Sequence, residues 1–432
     1  MQKLRFYIIS IFFISSSYAQ EIKKLTLQEA FDLATSTSKQ IKLEELKLKN
    51  IDFKKSQTKY AMLPIIGVSS SYTRLSNNIP DFSIGVFTIP QILNQYNNRV
   101  ALQQPIFQGL RNWNNLKMFD FQKKAANYDI QKISDETKWN IVQQYYNLYK
   151  LQQTNTLLDS NIAQTQVRID DLTKFKNAGL ILNNDVMRAE LQKTNLLVNK
   201  ADVESAIEIA NFNLNILLGL DGTTQFDIDE PTVVLANNDS VPQLIISAFS
   251  NRPELKAQEF RMKSADYAIK ASKSTYMPTV SFITSGNYNN PNQRMFPPEA
   301  KFKATWDVGV SLSWNLTNLY TTHTVVNDAR NQKEQLKVAT QQIKEGIEVE
   351  TNANYQAVKV ANLKIDLAQK AIAQATENRR ILNNRFQAQV ALLSDVLEAD
   401  VLLMQAETNL LNAKADAAIA YYKLQKSLGT IK

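Results

Sequence analysis

The chain has 432 residues, a formal net charge of +8, ten glycines and no cysteine. Without cysteine there is no disulfide to hold the fold and no lipid on a cleavage-site thiol. The basic excess is mild and scattered, with no dense Lys/Arg block interleaved with aromatics, so nucleic acid is not an expected partner.

Lys3 and Arg5 precede the apolar run Tyr7–Ile14, and Ser17-Tyr18-Ala19 supplies the small residues a signal peptidase reads. Residues 1–19 are therefore expected to be a secretory signal, because the run is shorter than the roughly 20 residues a spanning helix needs. Its removal leaves a charge of about +6. No later stretch is apolar enough for a transmembrane helix, so the destination is periplasmic, extracellular or an outer-membrane barrel.

Thr26 and Glu29 form a capping-box pattern that opens a helix running to about Met62, before Pro64. A second such helix runs from Val241-Pro242 to Met277, before Pro278. After each proline the apolar period changes from 3.6 to 2. Ile66–Tyr72 and Val280–Tyr288 read as strands, followed by polar loops near 75–95 and 289–300. The clearest return strand places Phe302, Ala304, Trp306, Val308, Val310, Leu312 and Trp314 on one face. Lys303, Thr305, Asp307, Gly309, Ser311 and Ser313 occupy the other. From Trp306 to Trp314 is about 26 Å, which suits the lipid-facing band of a barrel and its aromatic girdles. An ordinary half-buried sheet alternates in the same way, so this pattern leaves both open. Val100–Pro105 alternates more weakly as the return strand of the first pair.

Each return strand feeds a helical stretch, Arg111–Lys176 and Thr322–Gln387, about 100 Å long at 1.5 Å per residue. Helices of that length belong to a coiled coil or project outward. His323, the single histidine, has no ligand-spaced partner and reads as a surface residue. Each long helix ends in a turn: Lys174–Val186 with Ala178-Gly179-Leu180, and Arg385–Leu397 with Gln389-Val390. Leu196, Val203, Ile207, Ala210, Leu214 and Leu217 then follow a 4-3 spacing, as do Ala406, Leu410, Ala413, Ala417, Ala420 and Leu424.

Asp185 and Asp395 are 210 positions apart, as are Leu218-Gly219 and Leu428-Gly429. A constant offset implies an internal duplication. The expected repeats are 20–235, with a β-hairpin at 65–107 and a helical turn near 177–185, and 236–432, with a hairpin at 279–315 and a turn near 388–395. The fold class is mainly α with a small β part. Four strands cannot close a barrel, so membrane-embedded strands would require several chains: two give eight strands, three give twelve.

This order of elements, with Ala178-Gly179-Leu180, Asp185-Val186 and the recurrence at Asp395-Val396-Leu397, resembles the TolC family of outer-membrane efflux proteins over nearly all of the mature chain. The resemblance implies a homotrimer in the outer membrane, with a twelve-stranded β-barrel in lipid and a periplasmic α-barrel of antiparallel helical hairpins. It implies an exit duct for a tripartite efflux or type I secretion system. A periplasmic adaptor and an inner-membrane RND or ABC pump would dock at the helical tips. No catalysis, cofactor or metal is implied.

The family often carries an acidic pair in a D-V-L-D arrangement at the second turn. Here it reads Asp395-Val396-Leu397-Glu398, which implies an acidic, cation-favouring constriction at Asp395 and Glu398. Asp185 matches the aspartate that helps hold the tips closed. Its usual tyrosine and arginine partners fall on Phe386 and Ala391, so either another contact, such as one from Arg385, closes the tips or the channel rests more loosely. Adaptor docking maps to Ala178, Gly179, Leu180, Gln389 and Val390, with Gln389 in place of a glycine. Trp306, Val308, Val310, Leu312 and Trp314 map to the lipid-facing strand. The competing reading from the residues is a periplasmic coiled-coil tether, which would have no reason to keep an apolar strand face. An enzyme lacks support: there is one histidine, no phosphate-cradling loop and no carboxylate pair set in a core. Asp170-Asp171 and Asp227-Asp229 read as solvated charge.

Overall fold

The computed structural model describes residues 22–89, 91–231 and 240–431. The expected signal and the junction at 235/236 lie outside them. The elements are β1 Ile22–Leu25, α1 Leu27–Thr37, α2 Lys39–Tyr60, β2 Ile65–Arg74, β3 Phe82–Ile84, β4 Phe87–Ile89, β5 Asn94–Phe107, α3 Arg111–Asn177 and α4 Asn183–Leu218. There follow β6 Gln225–Ile228, α5 Val241–Asn251, α6 Pro253–Lys273, β7 Thr279–Asn290, β8 Lys303–Ser313, α7 Asn318–Gln387 and α8 Leu393–Ser427. No helix among the described residues is long and apolar enough to cross a membrane.

The capping box forms as expected: Glu29 N–H donates to Thr26 Oγ1 at 3.3 Å and Thr26 N–H to Glu29 Oε2 at 3.1 Å. Those bonds hold the Glu29 carboxyl below its usual range. The helix does not run unbroken to Met62, however. It ends at Thr37, whose hydroxyl turns back to the Leu33 and Leu218 carbonyls, and restarts with Ser38 Oγ accepting from Ile41 N–H. The helix expected up to Met277 is likewise broken at Arg252, because Pro253 has no N–H and suits the first turn of a new helix.

Two units make up the chain. One comprises the chain up to Ile41, Ile133–Asn251 and the part from Ile347. In it the four-residue strands β1 and β6 pair in parallel, Ile22 against Gln225 through Leu25 against Ile228, a sheet the sequence pattern did not reveal. Around them lies an apolar core, with Leu25, Phe31, Ile141, Tyr145, Leu214 and Phe226 almost wholly buried. Each such side chain contributes about 1.5–3 kcal/mol. Tyr145 donates its hydroxyl to the Leu25 carbonyl at 2.8 Å, and burial pushes it up to about 12. Burial also raises Tyr146 and Tyr422. The seam of α8 is buried at Ala406, Ala413, Ala417, Ala420 and Leu424. That of α4 is buried at Leu196, Ala210 and Leu214 but ends on Leu218, leaving Leu217 exposed.

The other unit comprises Lys42–Lys132 and Arg252–Gly346. Its sheet has the order β2-β5-β7-β8, every neighbour antiparallel. The first hairpin joins the second through β5 and β7, Arg99 opposite Asn287 and Leu102 opposite Thr284. β5 is longer than its weak alternation suggested, and its register shifts between Pro105 and Phe107. The loop near 75–95 holds the short hairpin β3–β4. Ion pairs between helices fasten this unit: Asp52 with Lys123 at 2.8 Å, Asp129 with Arg261 at 2.6 Å and Asp266 with Lys333 at 2.7 Å. Between α3 and α6, Phe121 stacks on Phe260 and Tyr267, and Phe260 on Tyr128.

Candidate functional site: the helical tips and the two-faced sheet

The two tip turns have the same backbone. At the first, Leu180 N–H donates to Phe175 O at 2.9 Å and Gly179 N–H to Lys176 O at 2.9 Å. At the second, Val390 N–H donates to Arg385 O at 2.9 Å and Gln389 N–H to Phe386 O at 2.9 Å. This paired bonding defines the Schellman helix end, which needs a left-handed residue after the last turn. Gly179 supplies φ +74° and Gln389 φ +61°. The glutamine thus takes the conformation expected of a glycine. Leu180 and Leu182 at one turn, and Val390 and Leu392 at the other, stand out into solvent. Ala178 is exposed as well.

Behind the turns lies an apolar cluster of Ile169, Leu172, Val186, Ala189 and Leu393, against which Ile181, Phe386 and Leu397 pack. It joins the two hairpins, with Phe386 partly buried against it. Asp185 and Phe386 both line a groove of about 550 Å³ between the turns. Arg385 is exposed and makes no ion pair with Asp185 among the described residues. Asp395 accepts the Leu392 N–H at 3.3 Å and the Ser394 hydroxyl at 3.4 Å, so its carboxylate serves as the reverse cap of α8. Glu398, one turn on, is exposed and has no ion pair among the described residues.

One polar link between the hairpins was not read from the sequence. Asp400 on α8 accepts from Arg379 Nε of α7 at 2.6 Å and faces Arg168 of α3 at 3.1 Å. Arg379 also reaches Gln164, and Arg168 reaches Asn383. Arg379 and Asp400 lie ten positions either side of the Gln389-Val390 turn, a symmetry that could have paired them. Arg168 comes from the other hairpin, and nothing in the sequence places it there. Seven residues beyond Asp400, burial raises Glu407 despite the pull of Arg379.

The sheet is two-faced because directly opposed residues share a side. One face carries Ile66, Val68, Val100, Phe282, Val308 and Val310. Trp306 is 76% exposed and Val310 68%, a large apolar surface that nothing among the described residues covers. At the loop end, Tyr72, Tyr96, Tyr288 and Phe302 stack with centroids 4.9, 5.5 and 5.1 Å apart. At the helix end Trp314, one residue past β8, donates its indole N–H to Tyr276 O at 3.1 Å. These aromatics are about 40 Å apart along the strand, or about 30 Å after a typical barrel tilt. The other face carries Ser69, Arg99, Ser285, Asn287, Thr305 and Asp307.

Residues 244–430 match the outer membrane efflux protein family. That match lies in the second half of the chain. The outer membrane efflux protein BepC of Brucella suis biovar 1 is 19% identical over 331 residues, spanning 76% of this chain and 71% of BepC. The outer membrane protein VceC of Vibrio cholerae superposes with a TM-score of 0.75 at 16% identity, covering 93% of this chain and 96% of VceC. The Campylobacter jejuni CmeC outer membrane channel gives a TM-score of 0.75 at 17% identity, covering 94% and 85%. The family matched by the second half of the chain and the relatives it resembles are outer membrane proteins and channels. Among the described residues no cluster of His, Asp and Glu is set to hold a metal.

Proposed function

We propose that three copies of this chain close one twelve-stranded barrel and form the exit duct of a tripartite efflux or type I secretion system, passing cargo from periplasm to exterior. The observation that carries this is the sheet. It has an apolar face edged by aromatics, a polar face opposite, and outer strands β2 and β8 that each pair on one side only. Open edges are not tolerated in lipid, so β8 of one copy joins β2 of the next. Trp306, Val308, Val310, Leu312 and Trp314 then meet lipid, and the polar face lines water. The recurring order of helix, hairpin, long helix, turn and return helix supports the duplication of 20–235 in 236–432.

The exposed turns at Ala178, Gly179, Leu180, Gln389 and Val390 offer backbone and apolar contacts to a periplasmic adaptor, which couples the duct to an inner-membrane RND or ABC pump. Asp185 and Phe386, which line the groove between the turns, help hold the tips closed, with Arg385 free to join them. Asp395 and Glu398 from three chains form the cation-favouring constriction, with Glu398 the freer charge.

Single-channel recording of the purified protein, with oligomer mass from the same detergent sample, tests this. Discrete openings from a trimer are expected. A monomer without conductance would sink it. Replacing both acids, Asp395→Asn with Glu398→Gln, should lower cation selectivity, and unchanged selectivity removes the ring assignment.

A further inference from the structure

The polar face of the sheet carries an uneven set of charges that the duct reading does not use. Asp307 lies on β8 opposite Ser285 and accepts that hydroxyl at 2.7 Å. It also takes Nη2 of Arg294 at 2.6 Å and the Asn287 amide at 3.4 Å. Arg294 belongs to the β7–β8 connection, yet it meets a carboxylate four residues inside β8, about 13 Å below the strand's start. The connection is therefore folded back along the polar face. Asn292 anchors it there, 2% exposed, with its amide on Lys303 O at 3.0 Å and Thr305 Oγ1 at 3.2 Å.

Arg99 adds a second cation. It stands on β5 in the row Ser69–Arg99–Asn287, beside the row that holds Ser285 and Asp307. It acts on Asp307 through space, but no carboxylate bonds its guanidinium among the described residues. Lys303 is matched by Glu299 at 3.6 Å. Per chain, the face then has two guanidinium groups to one carboxylate at the level of Asp307. Three chains leave an excess of three positive charges around a water-filled bore.

We infer that the barrel mouth is an anion-attracting site, built from Arg99 and from Arg294 held in place by Asp307, that takes solutes bearing a carboxylate, sulfonate or phosphate. This rests on the trimeric duct reading, which makes the polar face the bore. Its polarity is opposite to that of the acids Asp395 and Glu398 at the tips.

The chain has no cysteine, so single thiols can be placed without background. Ser69→Cys puts one directly opposite Arg99. In planar bilayers, a sulfonate-bearing methanethiosulfonate should modify that thiol faster than a trimethylammonium-bearing one. Adding Arg99→Gln and Arg294→Gln should cut the ratio of the two rates by about sixfold per charge, the square of the roughly 2.4-fold Coulomb factor for a unit charge about 8 Å away in water, because the two reagents carry opposite charges. In an otherwise unsubstituted chain, Asp307→Asn should move the reversal potential in a potassium chloride gradient toward chloride, while the arginine pair moves it toward potassium. Opposite shifts are not produced by misfolding. Conducting channels whose rate ratio and reversal potential ignore all three substitutions would overturn the inference while leaving the duct intact. Trimers that never conduct would overturn the duct and the inference with it.

Discussion

Asp400→Asn should loosen the tips of the two hairpins. The carboxylate is shared by Arg379 at 2.6 Å and Arg168 at 3.1 Å, with side-chain exposures of 17, 31 and 16% respectively. Removing one partner of a fully buried pair costs about 3–5 kcal/mol, whereas an exposed pair is worth about 0–1 kcal/mol. These groups lie between, and the substitution also leaves two guanidinium groups facing each other, so about 2 kcal/mol is expected. Hydrogen exchange of the purified protein reads this locally, since amides report the opening free energy of their own segment. Peptides covering Leu172–Asn177 and Leu393–Leu403 should exchange about 30-fold faster, at about 1.4 kcal/mol per tenfold. Peptides around Tyr145 should not change. A cycle with Arg168→Met should show a coupling of about 1 kcal/mol, because the two residues touch. Exchange within threefold of the unsubstituted protein, or single effects that add to within about 0.5 kcal/mol, would show that the cluster does not join the hairpins.

The two turns should respond to glycine in opposite ways. Gly179→Ala should destabilise its turn by about 1 kcal/mol through backbone strain alone, since an added Cβ meets nothing within 4 Å, whereas Gln389→Gly should be neutral or stabilise by up to about 1 kcal/mol. Exchange at the turn amides checks both, and a Gln389→Gly variant that loosens its turn would contradict the shared geometry. Lysine at Trp306 and Val308 should impair membrane assembly by about 2–4 kcal/mol for a charge at mid-bilayer. Normal folding into vesicles would refute a lipid-facing β8. Alkali should act through the tyrosines of the β1–β6 core. Tyr145 is raised from 10 to about 12, so its contribution is complete below about pH 10, where both states are protonated. That contribution is lost as pH climbs toward 12, because the unfolded chain ionises first. Tyr145→Phe should lower the melting temperature at pH 8 by removing the bond to Leu25, yet flatten its fall above about pH 10. A melting temperature that rises across that range in the unsubstituted chain would refute this.

Local chemistry was legible in the sequence wherever one residue's neighbours along the chain decide its conformation. The 67- and 70-residue helices, both turns, the Thr26 cap and the alternation of β8 all follow from periods and caps within a few residues. Gln389 was placed at a glycine position by the family resemblance, and the backbone hydrogen bonds of that helix end give the physical reason. What the sequence hid depends on partners far along the chain. The β1–β6 pair joins two four-residue strands about 200 positions apart, each too short to carry a period. The break at Ser38 answers to the Leu218 carbonyl, and the setting of Phe386 to Ile169 and Leu172 on the other hairpin. Arg168 beside Asp400, and Arg294 folded back onto Asp307, come from packing one hairpin or loop over another surface. Side-chain pairing across such distances leaves no spacing to read. By itself the chain determined its helices, turns and strand faces, and tertiary packing alone decided which charges meet.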